Sequence, residues 1–400
     1  MPNLRAIVIA LLWHVMRCAK TLRISTVGRL KIVRSLRVSD SGVSHSAIFY
    51  AAEPEIRAAN IVGKSIDAPE DYPSLGFRQF LNVSVTANRR FTSIISGQDL
   101  LLPAAADPGP WRLRVGEPTV GGILRQSDNS VLVHDRRNKA PVAKAIFVGS
   151  WSAHNWYHWI IDTLPSIFLA RALPEEFDSY PVLVDEVALS RPAWLEPLAT
   201  VIGDREVIPL SRSGYSTVRD LVWIDSPSSP GPLPLLKSGK PSFRLHPGAI
   251  KDYREHLIST LGLQAIVQQT SKRLFLGRKA TPNRPYNQEE LIAEATKFGY
   301  EPVFLEELNF ADSVKVMMQA ESVIGPHGAG WANALFCHPG TTGIMWTWRE
   351  SLDDNWFSNI ASVSEMKFAT LVTEDSFVGN HNLSPELLRK SLERLHLSKS

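Results

Sequence analysis

Two stretches of this 400-residue chain alternate short apolar segments with segments of helical periodicity, and this alternation restricts the fold more than any other feature. In the first stretch the strand and helix patterns cover Ala145–Val148, Trp156–Leu173, Tyr180–Val184, Val207–Leu210 and Leu221–Ile224. In the second they cover Arg273–Leu276, Gln288–Phe298, Glu301–Leu305, Phe310–Ala320, Ser322–Ile324, Trp331–Phe336 and Gly343–Trp348. Such spacing is typical of βαβ units around a parallel sheet. The sequence therefore predicts an α/β protein with two α/β lobes.

A Pro-rich segment, SPSSPGPLP over Ser226–Pro234, separates the two stretches. It cannot continue a helix or a central strand, so it predicts a loop or a crossing between domains. The region Ala47–Val142 is interrupted by Pro, Gly and Asp and predicts only short strands. We therefore predict a basic segment over residues 1–39, a first lobe with an irregular, β-rich start over 40–240, and a second lobe over 241–400.

The charge distribution narrows the function. Eight of the 43 Lys and Arg residues and none of the 40 acidic residues lie in residues 1–39, so the rest of the chain is net acidic. This balance argues against a nucleic-acid-binding protein. The two cysteines, Cys18 and Cys337, are too few for a disulfide framework or a cysteine-based zinc site. We expect a reducing, cytoplasmic location.

The basic start contains the apolar run Ala6–Val15, which is shorter than the ~20 residues that span a bilayer. The following residues, Met16–Lys20, do not form a small-residue cleavage site, which disfavours secretion. Two interpretations stay open. The segment is either a peripheral anchor on anionic lipid at the inner face of the membrane, or a lead-in that packs on the body. An anchor predicts that the body folds without residues 1–39.

The segment Ser322–Phe336, SVIGPHGAGWANALF, predicts a buried strand, a Gly-rich turn and a helix. Glycines let a ligand approach the backbone, and the first amides of a helix bind anions. Two arginines follow the strand that begins at Arg273, at the carboxyl edge where open α/β sheets bind ligands. The alternative is that the glycines only form a turn and the arginines are solvated. The residues predicted to bind a phosphate group are Arg278, Arg284, Gly325, His327, Gly328, Ala329, Gly330 and Asn333.

A second cluster lies in Trp151–Pro165, WSAHNWYHWIIDTLP. If a helix starts at Asn155, His158 and Asp162 share one face, and the carboxylate orients an imidazole that accepts a proton near neutral pH. The alternative is a His158 bonded within the core, with aromatic residues that serve packing alone. As a site, the segment predicts His158 and Asp162 as catalytic residues and an acceptor-binding face formed by Asn155, Trp156, Tyr157 and Trp159.

These segments together resemble glycosyltransferase family 61, the DUF563 group, which includes capsular-polysaccharide biosynthesis proteins. The resemblance covers roughly Ala145–Trp348 and is carried by Asn155–Trp159, Asp162–Pro165, Arg278, Arg284, Asn287, Glu290, Gly325–Gly330, Asn333 and Phe336. It implies a GT-B-like fold with two facing Rossmann-like lobes, a central cleft and an inverting mechanism. It also implies a nucleotide-sugar donor held mainly by the second lobe, with Asn287 among its binding residues.

Three positions depart from the family pattern. Ser313 stands where members usually carry Gln, and Met345 stands where a Glu often ends the strand. Trp331 follows the Gly turn, where Leu, Thr or Met is common, which predicts a narrower or reshaped donor pocket. These departures leave the nucleotide and the sugar of the donor open.

An inverting transferase needs a base for the acceptor hydroxyl and positive charge for the departing nucleoside diphosphate. Metal-dependent transferases usually supply that charge through an Asp-x-Asp pair, which this chain lacks. We therefore expect Arg278, Arg284 and the helix after Gly330 to stabilise the leaving group, with no metal and no other cofactor. The expected partners are a nucleotide sugar and a polysaccharide, glycolipid or glycan acceptor. The alternative is a non-catalytic member that binds nucleotide or glycan.

Overall fold

The structure is a computed structural model of the chain, and it divides into two compact units. Unit 1 comprises Met1–Glu53 and Tyr72–Pro234, and unit 2 comprises Pro54–Asp71 and Leu235–Ser400. The residues that the structure describes are 4–21, 26–27, 29–37, 43–54, 71–87, 93–102, 123–127, 130–136, 140–148, 153–228, 244–266, 271–279, 285–351, 355–373 and 382–397.

The described helices up to residue 228 are α1 (Leu4–Thr21), α2 (Trp156–His158), α3 (Leu164–Phe168), α4 (Glu186–Leu189) and α5 (Pro192–Ile202). A π-helix covers Trp159–Thr163, and 3₁₀ turns cover Leu169–Ala172 and Glu175–Phe177. The strands of this part are β1 (Thr26–Val27), β2 (Leu30–Arg37), β3 (His45–Tyr50), β4 (Glu53–Pro54), β5 (Asp71–Tyr72), β6 (Leu75–Thr86), β7 (Ser93–Ser96), β8 (Asp99–Leu102), β9 (Ile123–Ser127), β10 (Ser130–His134), β11 (Val142–Val148), β12 (Val182–Asp185), β13 (Val207–Leu210) and β14 (Ser216–Ile224).

The main sheet of unit 1 has twelve described strands in the order β13-β12-β11-β14-β6-β7-β8-β2-β10-β9, with β1 beside β2 and β3 beside β6. The four strands β11 to β14 pair in parallel, and β6 joins β14 antiparallel. Buried side chains such as Phe147 of β11, Leu221 of β14 and Phe80 of β6 form one core cluster across this junction. The predicted parallel unit is therefore extended by a mostly antiparallel half, in which β2 and β8 pair in parallel.

The basic segment over residues 1–39 is built into this sheet. Strand β2 lies between β8 and β10, and Ile32 pairs with Leu132. Helix α1 packs Trp13 and Met16 against these two residues. This placement argues against the expectation that the body folds without the segment, because a sheet strand and a covering helix would both be lost.

Unit 2 contains, among its described residues, the helices α6 (Pro247–Thr260), α7 (Gln288–Thr296), α8 (Phe310–Met318), α9 (Trp356–Val363) and α10 (Pro385–Leu397). Its strands are β15 (Lys272–Leu276), β16 (Tyr300–Val303), β17 (Ala320–Pro326), β18 (Thr342–Trp348) and β19 (Lys367–Thr373). Short 3₁₀ helices cover Gln264–Ile266, Leu305–Glu307, Ala329–Phe336 and Arg349–Ser351.

The sheet of unit 2 is parallel throughout, in the order β16-β15-β17-β18-β19. The inner strands β17 and β18 are buried nearly continuously, as expected of a parallel sheet covered on both faces, whereas the edge strands β16 and β19 are partly exposed. Phe275, Ile324 and Trp346 of three neighbouring strands pack in one cluster with Leu291 of α7 and Leu388 of α10. This order places the chain reversal between β15 and β17.

No helix in the described part of the chain has the length and apolarity to cross a bilayer. Neither cysteine forms a disulfide bond; Cys18 is exposed and Cys337 is buried. Burial raises the pKa of the Cys337 thiol to about 12, so this thiol stays protonated at neutral pH.

Candidate functional site

The first candidate site lies where the strand order of unit 1 reverses. The chain leaves β11 toward β12 on one side, while β14 pairs with β11 on the other side. Ligands of open α/β sheets bind at such a switch point, beyond the carboxyl ends of the strands. His158 and Asp162 follow β11, and Ser228 follows β14. The structure therefore brings residues from both strand ends together.

The predicted helix over Trp156–Leu173 is interrupted. The Asn155 side chain accepts a hydrogen bond from the Tyr157 amide and caps α2. After α2 the chain widens into the π-helix, whose Leu164 amide binds the carbonyl of Trp159 five residues back. The interruption follows from Pro165, which has no amide hydrogen and whose ring would clash with the preceding turn of a continuous α-helix.

His158 and Asp162 form a buried pair. The distance between His158 Nδ1 and Asp162 Oδ2 is 2.5 Å, and the two side chains are 5% and 1% exposed. The other carboxylate oxygen accepts a hydrogen bond of 2.5 Å from the Ser228 hydroxyl. Because a carboxylate only accepts hydrogen bonds, His158 Nδ1 carries the hydrogen and the lone pair of the neutral ring is on Nε2. This arrangement orients His158 as a base.

Two further hydroxyl groups fix the backbone that carries the pair. Thr163 Oγ1 donates to the carbonyl of His158 at 3.2 Å, and Ser166 Oγ donates to the carbonyl of Asp162 at 3.1 Å. Both hydroxyl groups are buried. The π-helix thus holds His158 and Asp162 through side-chain bonds as well as its own backbone.

The predicted acceptor-binding face divides into two groups. Asn155 is exposed and Trp156 is half-buried, with its ring edge against Trp194. Tyr157 is buried with its ring 5.2 Å from His158, and burial, with a smaller effect of Asp162, raises the pKa of its phenol well above the usual value. Trp159 is fully buried and donates to the carbonyl of Trp194. Tyr157 and Trp159 have almost no exposed surface in this structure, whereas Asn155 and Trp156 do. That the four residues form an acceptor-binding face stays a prediction.

The second candidate site lies at the corresponding reversal in unit 2, between β15 and β17. Arg278 follows β15, and the turn His327–Gly330 follows β17. The Arg278 guanidinium donates to the carbonyl of His327. Gln288 holds the Arg278 backbone at both ends, accepting from its amide at 2.7 Å and donating to its carbonyl at 3.1 Å. Arg278 is thus fixed against the Gly-rich turn.

The glycines of this turn have different roles. A Cβ at Gly328 would lie 2.3 Å from Arg278 Nη2, so Gly328 leaves room for the guanidinium. Among the described residues, a Cβ at Gly330 would meet only Leu305 Cδ1, at 3.7 Å, so these residues leave space in front of it. Gly325 lies inside β17, and a Cβ there would lie 2.8 Å from the Cβ of Leu276. Its small size is therefore required by strand packing, which the turn prediction did not anticipate.

The segment after the turn is a 3₁₀ helix, Ala329–Phe336, where a regular helix was expected. Its first hydrogen bond joins the Trp331 amide to the Gly328 carbonyl, so the amides of Ala329 and Gly330 precede the helical bonding pattern. The Trp331 indole is buried and donates to the carbonyl of Pro326. The expectation that Trp331 reshapes a donor pocket is wrong, because its ring packs in the core.

Asn333 and His327 border the turn from inside. Asn333 is 1% exposed, and its Nδ2 donates to the carbonyl of Gly330 at 3.0 Å. Its Oδ1 has no hydrogen-bond partner in the described part of the chain. The His327 ring lies edge-on to Trp348 and Phe357, at 4.9 and 5.0 Å. A buried oxygen without a partner is costly, so Asn333 offers an acceptor to a ligand at the turn.

Other residues predicted for the donor site lie elsewhere. Asn287 donates to Glu290 and to the carbonyl of Leu383 and accepts from the Leu383 amide, so it fastens the chain before α10. These contacts occupy its amide group, and its assignment to the donor stays a prediction. Met345 lies in the middle of β18 and does not end the strand, and Ser313 is buried in α8. Arg284 lies outside the described residues.

Sequence reasoning missed Ser228. The only signal was its position in SPSSPGPLP, directly after an apolar strand pattern, which indicates the carboxyl edge of a sheet. Its contact with Asp162 joins residues 66 positions apart. Within the described residues, no three His, Cys, Asp or Glu side chains are grouped as metal ligands.

Comparison with known families gives one match. Residues 156–344 match the family described as Glycosyltransferase 61. The match supports glycosyltransferase family 61, and with it a transferase. It begins at the first residue of α2 and ends within β18, so it includes the switch points of both units. A search of the curated proteins finds no match to this chain.

Proposed function

We propose that the protein is an inverting, metal-independent glycosyltransferase of GT-B type that transfers a sugar from a nucleotide donor to a polysaccharide, glycolipid or glycan acceptor. Unit 2 binds the donor, and unit 1 supplies the base and the acceptor surface. The family match to residues 156–344 supports the transferase, and the switch point of each sheet supports the assignment of one ligand to each unit.

The observation that carries the proposal is the 2.5 Å contact between His158 Nδ1 and Asp162 Oδ2. With Nδ1 directed at the carboxylate, Nε2 takes the proton of the acceptor hydroxyl as its oxygen attacks the anomeric carbon. Asp162 stabilises the imidazolium that forms. General base catalysis of this kind contributes ~10²–10⁴-fold to the rate.

The bond from the anomeric carbon to the diphosphate oxygen breaks as the new bond forms, and negative charge grows on the leaving diphosphate. The Arg278 guanidinium and the amides of Ala329 and Gly330 lie at the turn where that charge is stabilised. Because the sequence has no Asp-x-Asp pair, we assign this charge stabilisation to protein groups.

The proposal is tested by calorimetric titration of the protein with a panel of nucleoside diphosphates, the matching sugar nucleotides and the uncharged nucleosides. Arg278→Ala removes a charge-assisted contact of about 1.5–3 kcal/mol, so diphosphate affinity should fall ~10- to 150-fold and nucleoside affinity much less. Arg278→Lys should keep part of the diphosphate affinity, because Lys retains the positive charge. It should not keep all of it, because Lys lacks the bidentate fork of Arg.

Arg273 provides the matched control. It lies at the amino end of β15, the strand that precedes Arg278, and pairs with Glu321 at 2.6 Å. Arg273→Ala should lower thermal stability without a selective loss of diphosphate binding. Equal diphosphate affinity in the parent and in Arg278→Ala would contradict the proposal that the donor diphosphate binds at this turn.

One observation favours a second candidate, a non-catalytic protein that binds nucleotide or glycan. The His158 side chain is only 5% exposed, which restricts an acceptor's access to Nε2. Turnover decides between the two: binding followed by release of nucleoside diphosphate in the presence of acceptor identifies the enzyme, and binding without turnover identifies the second candidate.

A further inference from the structure

Helix α1 is apolar around most of its circumference but packs on unit 1 through one side only. Trp13 and Met16 on that side are 5% and 1% exposed and lie against Ile32 and Leu132. A helix that is apolar all round is normally covered on every side. The outer side of α1 therefore needs an explanation.

The outer side carries a continuous apolar stripe. Ile7, Val8, Leu11 and Val15 are 42%, 46%, 62% and 59% exposed. At 3.6 residues per turn these four side chains fall within about 100° of the helix circumference. They account for four of the nine exposed large hydrophobic residues in the described part of the chain. Isolated exposed apolar residues are ordinary, but a stripe of four along one helix marks an interaction surface.

The charges beside the stripe have one sign. Helix α1 contains no acidic residue, and Arg17 near its carboxyl end is exposed and lies about 80° around the helix from Ile7. Arg29, just before β2, is exposed as well. Cations around an exposed apolar face complement a negatively charged surface with an apolar interior, which is the chemistry of an anionic lipid bilayer.

We propose that the outer face of α1 binds in the headgroup–acyl interface of a bilayer that contains anionic lipid. In this arrangement Ile7, Leu11 and Val15 enter the acyl boundary to a depth of roughly 5–10 Å, and Arg17 contacts a headgroup phosphate. The opposite face stays on the core of unit 1. The proposal does not depend on the catalytic assignment, because it uses none of the residues of either candidate site.

The test uses the full chain and sedimentation with vesicles of phosphatidylcholine alone or mixed with phosphatidylglycerol, at low salt. We expect sedimentation with the mixed vesicles that weakens at high salt. Leu11→Ser with Val15→Ser should weaken partitioning at least ~10-fold, because two apolar side chains no longer leave water. Arg17→Gln should weaken partitioning about fivefold on mixed vesicles only. Lys20→Gln should weaken it less, because Lys20 lies on the side of α1 that faces unit 1, where it donates to Ser130.

Ile48→Ser with Leu81→Ser is the matched control, because these side chains are 69% and 56% exposed on strands β3 and β6. This control should sediment as the parent does. The Leu11/Val15 variant should unfold with the same thermal midpoint as the parent. Such a result would show that misfolding does not cause its loss of vesicle binding.

Three outcomes overturn the proposal. The first is a full chain that does not sediment with the mixed vesicles. The second is an equal loss of sedimentation in the control variant. The third is a dimer, detected by light scattering without lipid, that the Leu11/Val15 variant abolishes, because the stripe would then bind a second copy of the chain.

Discussion

The orientation of His158 depends on side chains that two neighbouring strands contribute to one sheet edge. Asp162 comes from the helix after β11, and Ser228 comes from the segment after β14. Each Asp162 carboxylate oxygen thus receives one hydrogen bond, which a buried carboxylate needs for its ionised form. The charge is therefore held in place before any substrate binds.

Replacing either member of the pair should affect catalysis far more than donor binding. His158→Ala and Asp162→Asn should each lower kcat ~10²–10⁴-fold. The first variant lacks the base, and the second lacks the carboxylate that stabilises the imidazolium. Donor affinity, measured by calorimetry, should change little. Asp185→Asn is the control, since Asp185 is another buried carboxylate of unit 1 and is paired with Arg212. Full activity in both variants would restore the interpretation of His158 as a core residue.

Ser228 acts on His158 through Asp162. Ser228→Ala removes a hydrogen bond to a charged group, about 1.5–3 kcal/mol, and should lower kcat about tenfold or more at unchanged KM for the donor. Ser228→Thr keeps the hydroxyl and should recover most of the rate. Thr86→Val removes a buried hydroxyl of unit 1 that donates to the Gly214 carbonyl, ahead of the amino end of β14, so kcat should stay near the parent value. Equal effects of Ser228→Ala and Thr86→Val would mean that Ser228 is merely structural.

At the scale of elements, each candidate site is formed by an irregular segment after a regular strand. The π-helix Trp159–Thr163 holds the His–Asp pair, and the 3₁₀ helix Ala329–Phe336 follows the turn that Arg278 contacts. Single π turns are rare in proteins, and those that occur are often found at functional sites. The strands supply fixed starting points, and the irregular segments set the direction of the side chains.

The two turn glycines should respond differently to alanine. Gly330→Ala adds a methyl group into open space, so thermal stability should change by no more than about 0.5 kcal/mol while diphosphate affinity falls at least ~10-fold. Gly328→Ala displaces the Arg278 guanidinium and should lower both affinity and stability, the latter by about 1–3 kcal/mol. Calorimetry and thermal unfolding of the two variants check this. Parent-like diphosphate binding by Gly330→Ala would place the diphosphate elsewhere.

At the scale of the molecule, the first residues of the chain belong to unit 1. Strand β2 separates β8 from β10, and its two faces serve different contacts. Ile32 packs toward α1, while Val33 packs with Val131 and Val133. The basic segment is therefore part of the fold and, in the proposed interface, also a surface for lipid.

Removing residues 1–39 should prevent unit 1 from folding. The deletion strips Trp13, Met16, Ile32 and Val33 from the core, each worth about 1.5–3 kcal/mol, and a typical protein has only about 5–15 kcal/mol of stability. We expect insoluble protein, or a soluble form without the parent's cooperative thermal transition by circular dichroism. A truncation of residues 1–3, ahead of α1, is the control. A parent-like transition after deletion of 1–39 would contradict the structure of β2.

The sequence alone determined the elements whose signals are local. Strand β13 was predicted with its observed bounds, and β15, β17 and β18 to within a few residues, because parallel strands are continuous apolar runs between turn residues. The pairing of His158 with Asp162 could also be predicted from the sequence, because residues four apart lie on one face of a helix. The Gly-rich turn and Arg278 followed from strand ends in the same way.

Only the tertiary structure decided which residues meet across long separations. Nothing local marks Ser228 as the partner of Asp162, Asn287 as a clamp on Leu383, or Trp331 as a core residue. The twelve-residue strand β6 and the placement of β2 inside the sheet were missed for the same reason. The alternation of side chains along a strand determines which of them share a face. Whether that face is buried depends on the order of the strands and on the helices that cover the sheet. Both depend on pairings between distant parts of the chain.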